Sequence, residues 1–159
     1  KVCGIIFTLL SLFANSLESN IRQEGEPPRF AVATLVSGGS SRHEGQDGYT
    51  FGAVALAGSL REACIVRNVD LVAMVTPDVT ASNRDTLTQA GWTPRNISSL
   101  EHICFGFSKL NVWKLQEYAR VLFADADVVV PKPASFLALL PAALHLGVGF
   151  AAAGDALPA

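Results

Sequence analysis

Arg120-Val121-Leu122-Phe123-Ala124-Asp125-Ala126-Asp127 is the stretch that decides the fold. Val121 to Ala124 form an apolar run of buried-strand length that stops on two carboxylates. A solvated acidic turn needs no burial on its approach, so the pair reads as the C-terminal end of a strand. Runs of the same kind lie upstream at Phe30 to Val36 and at Asp70 to Thr76, the latter stopped by Pro77. Trp92 to Ile97 reads as a further strand, Val128 to Val130 as a continuation of the acidic one toward Pro131, and Gly147 to Ala152 as one more. Helical patterns fall between them. Tyr49 to Cys64 places Phe51, Val54, Ala55, Leu56 and Leu60 at the spacing of one helix face. Thr80 to Ala90 ends on Gly91, Ser108 to Tyr118 is helical in pattern, and Pro133 to Leu144 starts on a proline, which a first turn tolerates. Strands apolar on both faces, alternating with helices, predict a parallel α/β sheet covered on both sides.

Composition narrows the function. Of 159 residues, 50% are hydrophobic and 16% charged, which excludes a disordered tail and supplies a core. Twelve basic against 14 acidic side chains give a net charge of −2. Such a chain has no basic field for a polyanion, so nucleic acid is not an expected partner. Cys3, Cys64 and Cys104 show no C-x-x-C spacing, so neither a disulfide scaffold nor a zinc ribbon is indicated.

Three segments are expected. Val2 to Leu17 carry no charge and follow Lys1, so residues 1–20 read as a signal peptide or the remnant of a membrane anchor. Residues 21–28 are polar and Pro-ended, a linker. Residues 29–159 form the globular part. Asn96-Ile97-Ser98 is a glycosylation sequon. Together these predict the secretory pathway, Golgi or secretion if the leader is a targeting segment, and a cytoplasmic location otherwise. The chain starts on Lys1 and stops on Ala156-Leu157-Pro158-Ala159, and it reads as a piece of a longer protein, truncated on its C-terminal side.

Asp125 and Asp127 carry the chemistry. Side chains at i and i+2 of an extended chain point to the same side. Two like charges so placed repel unless a cation lies between them, and a hard divalent ion, Mn²⁺ or Mg²⁺, suits oxygen ligands. Two enzyme classes use a carboxylate pair after an apolar strand. In haloacid-dehalogenase-like phosphotransferases Asp125 would be the nucleophile and Asp127 the acid or base, but their pattern has a threonine where Val129 stands. In nucleotide-sugar transferases the pair holds a metal on the diphosphate.

Four blocks separate these classes. Phe30 to Ser37 with Tyr49 to Arg61, Leu71 to Val79, Phe107-Ser108-Lys109-Leu110-Asn111-Val112-Trp113-Lys114-Leu115, and Arg120 to Asp127 stand in the order of the glycogenin-type (family 8) glycosyltransferases, which the chain resembles over roughly residues 30 to 152. The resemblance implies a GT-A fold, a Rossmann-like, mostly parallel sheet with helices on both faces. It also implies hexosyl transfer with retention from a UDP-sugar donor to a hydroxyl-bearing acceptor (glycan, protein or small polyol), with Mn²⁺ or Mg²⁺ as cofactor. Carried over by position, Leu35, Val36 and Ser37 would line the uridine pocket and Tyr49 would stack on uracil. Lys109, the candidate catalytic residue, would sit near the donor phosphates or sugar. Asp125 and Asp127 would hold the metal, and the Ala126 backbone would touch the ribose.

The chain also departs from that family. Ser37 to Gly48 looks like an insertion and is not a phosphate-binding P-loop. Ser99 to Gly106 is short and lacks the family's phosphate-contacting arginine. The family's Asn-Ser-Gly and His-x-x-Gly-x-x-Lys-Pro blocks are expected downstream of residue 159, and with them the histidine that is its third protein ligand for the metal; His43, His102 and His145 do not match that histidine. Asp155 is a loose match to a carboxylate near the sugar. A non-catalytic nucleotide-binding module is therefore a further alternative.

Overall fold

In the computed structural model, which describes residues 27–38, 48–98 and 107–147, the first apolar run becomes the inner strand β1 (Phe30–Val36). β2 (Val69–Val75) pairs along one side of it and β4 (Arg120–Phe123) along the other, with β3 (Thr93–Asn96) outside β2. All the pairings are parallel, in the order β3-β2-β1-β4. Ala33 stands opposite Val72 on one side and Phe123 on the other, so β1 spends its hydrogen bonds in both directions.

The pleat divides the apolar residues between two layers. Val32 and Val36 of β1 share one face with Leu71, Ala73 and Val75 of β2. Over this face lie α1 (Gly48–Arg67), through Ala53, Leu56 and Leu60, and α2 (Ala81–Gln89), through Leu87. Leu137 and Leu140, from α3 (Pro133–Leu137) and α4 (Leu139–His145), complete the layer. The other face, Ala31, Ala33, Val72 and Met74, packs on Leu115 and Tyr118 and on Val112 of a 3-10 helix, Phe107–Lys114. Burial on both faces explains why β1 and β2 read as unbroken apolar runs. Each large aliphatic side chain so buried contributes about 1.5–3 kcal/mol.

The element ends follow local chemistry. Thr80 caps α2 by accepting from the Asn83 amide at 3.2 Å. Gly91, the expected stop, adopts φ 102°, where a side chain would be strained. It turns the chain so that Trp92, 2% exposed, donates from Nε1 to the Ala53 carbonyl at 2.8 Å. Just past β3 the Ile97 amide donates to Val75 at 3.0 Å, so by alternation the nitrogen of Pro94 faces away from β2. A proline fits there because no ladder bond is lost. At the N-terminal end of the sheet, Asp70 accepts from Arg29 at 2.6 Å and from the Tyr118 hydroxyl at 2.9 Å.

Three expectations are corrected. Val128 to Val130 form no strand: the Val128 amide donates to Asp125 O and the Val130 amide to Ser59 Oγ, so neither joins a ladder. The expected helix from Ser108 to Tyr118 is a 3-10 helix ending at Lys114, followed by i→i+3 turns at Leu115 and Tyr118. The helix expected from Pro133 to Leu144 is two helices broken at Ala138. Pro141 explains the break, because it has no amide for the Leu137 carbonyl and its ring crowds that carbonyl. The strand expected at Gly147 to Ala152 and the leader at 1–20 lie essentially outside the described residues, as does most of the linker. Among the described residues, no helix is long and apolar enough to cross a membrane.

Cys64 is buried on α1, and burial pushes its thiol from an ordinary 9.0 up to about 11. Burial, with the hydrogen bond to Asp70 adding to it, raises the Tyr118 hydroxyl as well. Both groups ionise later in the folded state. Their stabilising effect is complete below the unfolded values and is lost as pH climbs through the folded ones. The urea midpoint is expected to fall between pH 9 and 11, and Cys64→Ala to make that fall shallower, as read by denaturation at a series of pH values.

Candidate functional site

Because the strands are parallel, their C-terminal ends share one rim, the side on which open α/β sheets bind ligands. β1 delivers Leu35, Val36 and Ser37, β2 delivers Thr76 to Asp78, and β4 delivers Asp125 to Asp127. Leu35 is half-buried and packs on the layer containing Met74. Val36 is fully buried in the opposite layer, and its carbonyl accepts from the Thr76 amide at 3.2 Å. Ser37 is half-buried. Tyr49 stands in the first turn of α1 with 49% of its surface exposed.

The carboxylates sit on a turn. Ladder pairing persists to the Ala124 amide, which donates to Ala33 at 2.9 Å. The Val128 amide then closes back on the Asp125 carbonyl at 3.2 Å. Asp125 and Asp127 are thus presented by a turn of residues 125–128, and the extended geometry assumed from their spacing is corrected. Ala126 between them is 4% exposed, while both carboxylates are exposed. The physical cause is Ala126, whose methyl belongs to the core layer under α1 and pulls the chain inward there.

Lys109 reaches this turn from the 3-10 helix. Its Nζ lies 2.6 Å from Asp125 Oδ1 and 5.8 Å from the centre of the Phe123 ring. Lys109 and Asp125 side chains are 45% and 50% exposed, so the ion pair is a weak one, worth at most about 1 kcal/mol. The structure therefore brings Lys109 and Asp125 into contact, next to Asp127 in the chain. Among the described residues, no group of three His, Cys, Asp or Glu side chains could hold a metal. Two exposed carboxylates still suit a hard divalent ion that takes its other oxygens from water and phosphate.

Three positioning features escaped the sequence reading. A Cβ built on Gly52 of α1 would lie 2.5 Å from the Ala126 carbonyl oxygen and 3.1 Å from its carbon, so the helix backbone presses directly on the carboxylate turn. Ser59, two turns further along the same face of α1, accepts from the Val130 amide at 3.2 Å. Arg84 ties the rim together, donating to the carbonyls of Val79 at 3.0 Å and Thr76 at 2.9 Å and to Asn96 Oδ1 at 2.5 Å. The only available signal was a glycine at position 52 inside a helical pattern. Nothing in sequence marks Ser59 or Arg84. A shallow cleft of about 240 Å³, lined by Arg95, Ile97, Ser98, Asn111, Lys114 and Glu117, opens beyond β3 and does not include the carboxylates.

Comparison with known proteins adds the chemistry that related chains perform. No family model matches the chain. It is 31% identical over 125 residues to UDP-glucuronate:xylan alpha-glucuronosyltransferase 1 of Arabidopsis thaliana, which covers 74% of this chain and 18% of that protein. It is 29% identical over 115 residues to galactinol synthase 4 of the same plant (65% of this chain, 32% of that protein) and 28% identical over 97 residues to galactinol synthase 1 of Ajuga reptans (54% and 28%). The chain spans less than a third of the length of the first two relatives.

The two interior glycines of α1 give opposite expectations. Gly52→Ala forces a methyl against the Ala126 backbone and should cost about 1–3 kcal/mol. Gly58 has nothing within 4 Å of an added Cβ, so Gly58→Ala should stabilise by about 0.5–1 kcal/mol. Paired urea denaturation of the two variants reads the contrast.

Proposed function

Because the chain belongs to the family 8 glycosyltransferases, we propose that it carries the donor-binding part of an enzyme that moves a hexosyl group, with retention, from a UDP-sugar to a hydroxyl acceptor. The observation that carries this reading is the meeting of Lys109 and Asp125 at the C-terminal rim of the sheet, beside Asp127. The names of the relatives support the donor class, since one group is written as using UDP-glucuronate on xylan. A glycan is the acceptor class that the first of these names suggests. Location in the secretory pathway rests on the uncharged leader and the sequon.

The difficult event is departure of a nucleoside diphosphate, which gathers negative charge as the glycosidic bond breaks. Asp125 and Asp127 would hold a divalent cation, Mn²⁺ or Mg²⁺, which when bound supplies Lewis-acid neutralisation of that charge. The remaining roles belong to the chain. Lys109 brings a positive charge to the same place on a stem long enough to follow the phosphates. The exposed Tyr49 ring offers a flat face for the uracil. Leu35 and Ser37, at the end of β1, offer an apolar wall and a hydroxyl to the nucleoside, while Val36 has only its backbone to contribute. The phosphotransferase alternative is not favoured, because its required threonine is replaced by Val129 and the related proteins transfer sugars.

The double variant Asp125→Asn with Asp127→Asn, made in the full-length protein, is expected to lower UDP-sugar turnover by at least about 10²-fold. Both side chains are exposed, so the urea midpoint should hold. Turnover equal to wild type would reject the carboxylate role. Calorimetric titration with UDP, with and without Mn²⁺, measures donor binding separately from transfer.

A further inference from the structure

We propose that the Lys109 ammonium is an internal occupant of the cation position, holding Asp125 until a divalent ion displaces it and so coupling metal binding to diphosphate binding. This deepens the reading above and rests on it. Asp125 and Asp127 put two negative charges on one short turn. A positive charge from a different element sits against the first of them: Lys109 Nζ lies 2.6 Å from Asp125 Oδ1, with the Phe123 ring centre 5.8 Å from the ammonium. An ammonium at hydrogen-bond distance and a divalent ion coordinated to the same carboxylate repel each other, so each lowers the other's occupancy. Exchange is easy because both side chains are about half exposed and such pairs are weak.

Displacement leaves a free ammonium beside a turn whose two negative charges the divalent ion has cancelled. The arriving diphosphate brings negative charge to the ammonium and the metal together. Metal alone should therefore bind less tightly than two carboxylates permit, and UDP should tighten it. The coupling is reciprocal, because it is a difference in binding free energy between the same four states.

The test uses the full-length protein and Mn²⁺ alone, followed by calorimetry or by the electron paramagnetic resonance of the free ion, and then repeated with saturating UDP. Without nucleotide, Lys109→Met is expected to bind Mn²⁺ about two- to fivefold tighter than wild type, the factor by which a weak exposed pair competes. Lys109→Arg, which keeps the charge, should stay at the wild-type value. The tightening of Mn²⁺ by UDP should be smaller in Lys109→Met than in wild type. If wild type binds Mn²⁺ and Asp125→Asn loses it, yet Lys109→Met binds equally or more weakly than wild type, the occupant role is wrong and the metal reading stands. If wild type itself binds no Mn²⁺ with or without UDP, the metal reading is overturned and this inference with it.

Discussion

Everything at the rim depends on β1 being paired in parallel on both sides. Val72 and Phe123 flank Ala33 in register, and that register brings the ends of β1, β2 and β4 to one edge. Had β4 run the other way, Arg120 would stand where Asp125 now does. The pairing survives only because both faces of β1 are dry, and it is dry because α1 covers one face and the 3-10 segment with Leu115 and Tyr118 covers the other. The helix that shields the sheet also shapes the site, since its backbone at Gly52 abuts the Ala126 carbonyl. Packing and chemistry are thus joined at a single close approach.

The two ends of the sheet are built differently. At the N-terminal end, Asp70 gathers Arg29 and the Tyr118 hydroxyl, a contact that leaves its carboxylate with two donors. At the C-terminal end, Arg84 and Thr76 brace the backbone: Arg84 reaches three acceptors, and Thr76 donates its amide to the Val36 carbonyl and its hydroxyl to Asp78. The charged groups proposed to meet ligand stay exposed. A rigid backbone presenting solvated charges suits a site that must exchange its partners, because exposed charges cost little to re-pair.

Much of this was legible in the residues. Phe30 to Val36 and Asp70 to Thr76 were readable because parallel strands buried on both faces are apolar almost throughout; Val121 to Phe123 show the same pattern although β4 is only half-buried, at the border of the sheet among the described residues; and Gly91 was readable because a helix stop needs its left-handed backbone. Lys109 and Asp125 were both picked out as site residues, and the fold brings them into contact. Where reading by pattern failed, a long-range partner or a single residue overrode it. Val128 to Val130 have strand-like side chains, yet their amides are claimed by Asp125 and Ser59. Pro141 split a helix whose apolar spacing looked continuous. The contact at Gly52 joins residues 74 positions apart, and no local pattern encodes it.

Pro94 has an effect that reaches outside the molecule. Among the described residues it stands on the outer strand, with its nitrogen directed away from β2, where any other residue would offer a donor. A foreign strand laid along that border would meet a gap in its ladder at the middle of a four-residue stretch. The same imino acid that costs the sheet nothing internally discourages edge-to-edge growth of one copy onto the next, which guards against aggregation without spending any charge.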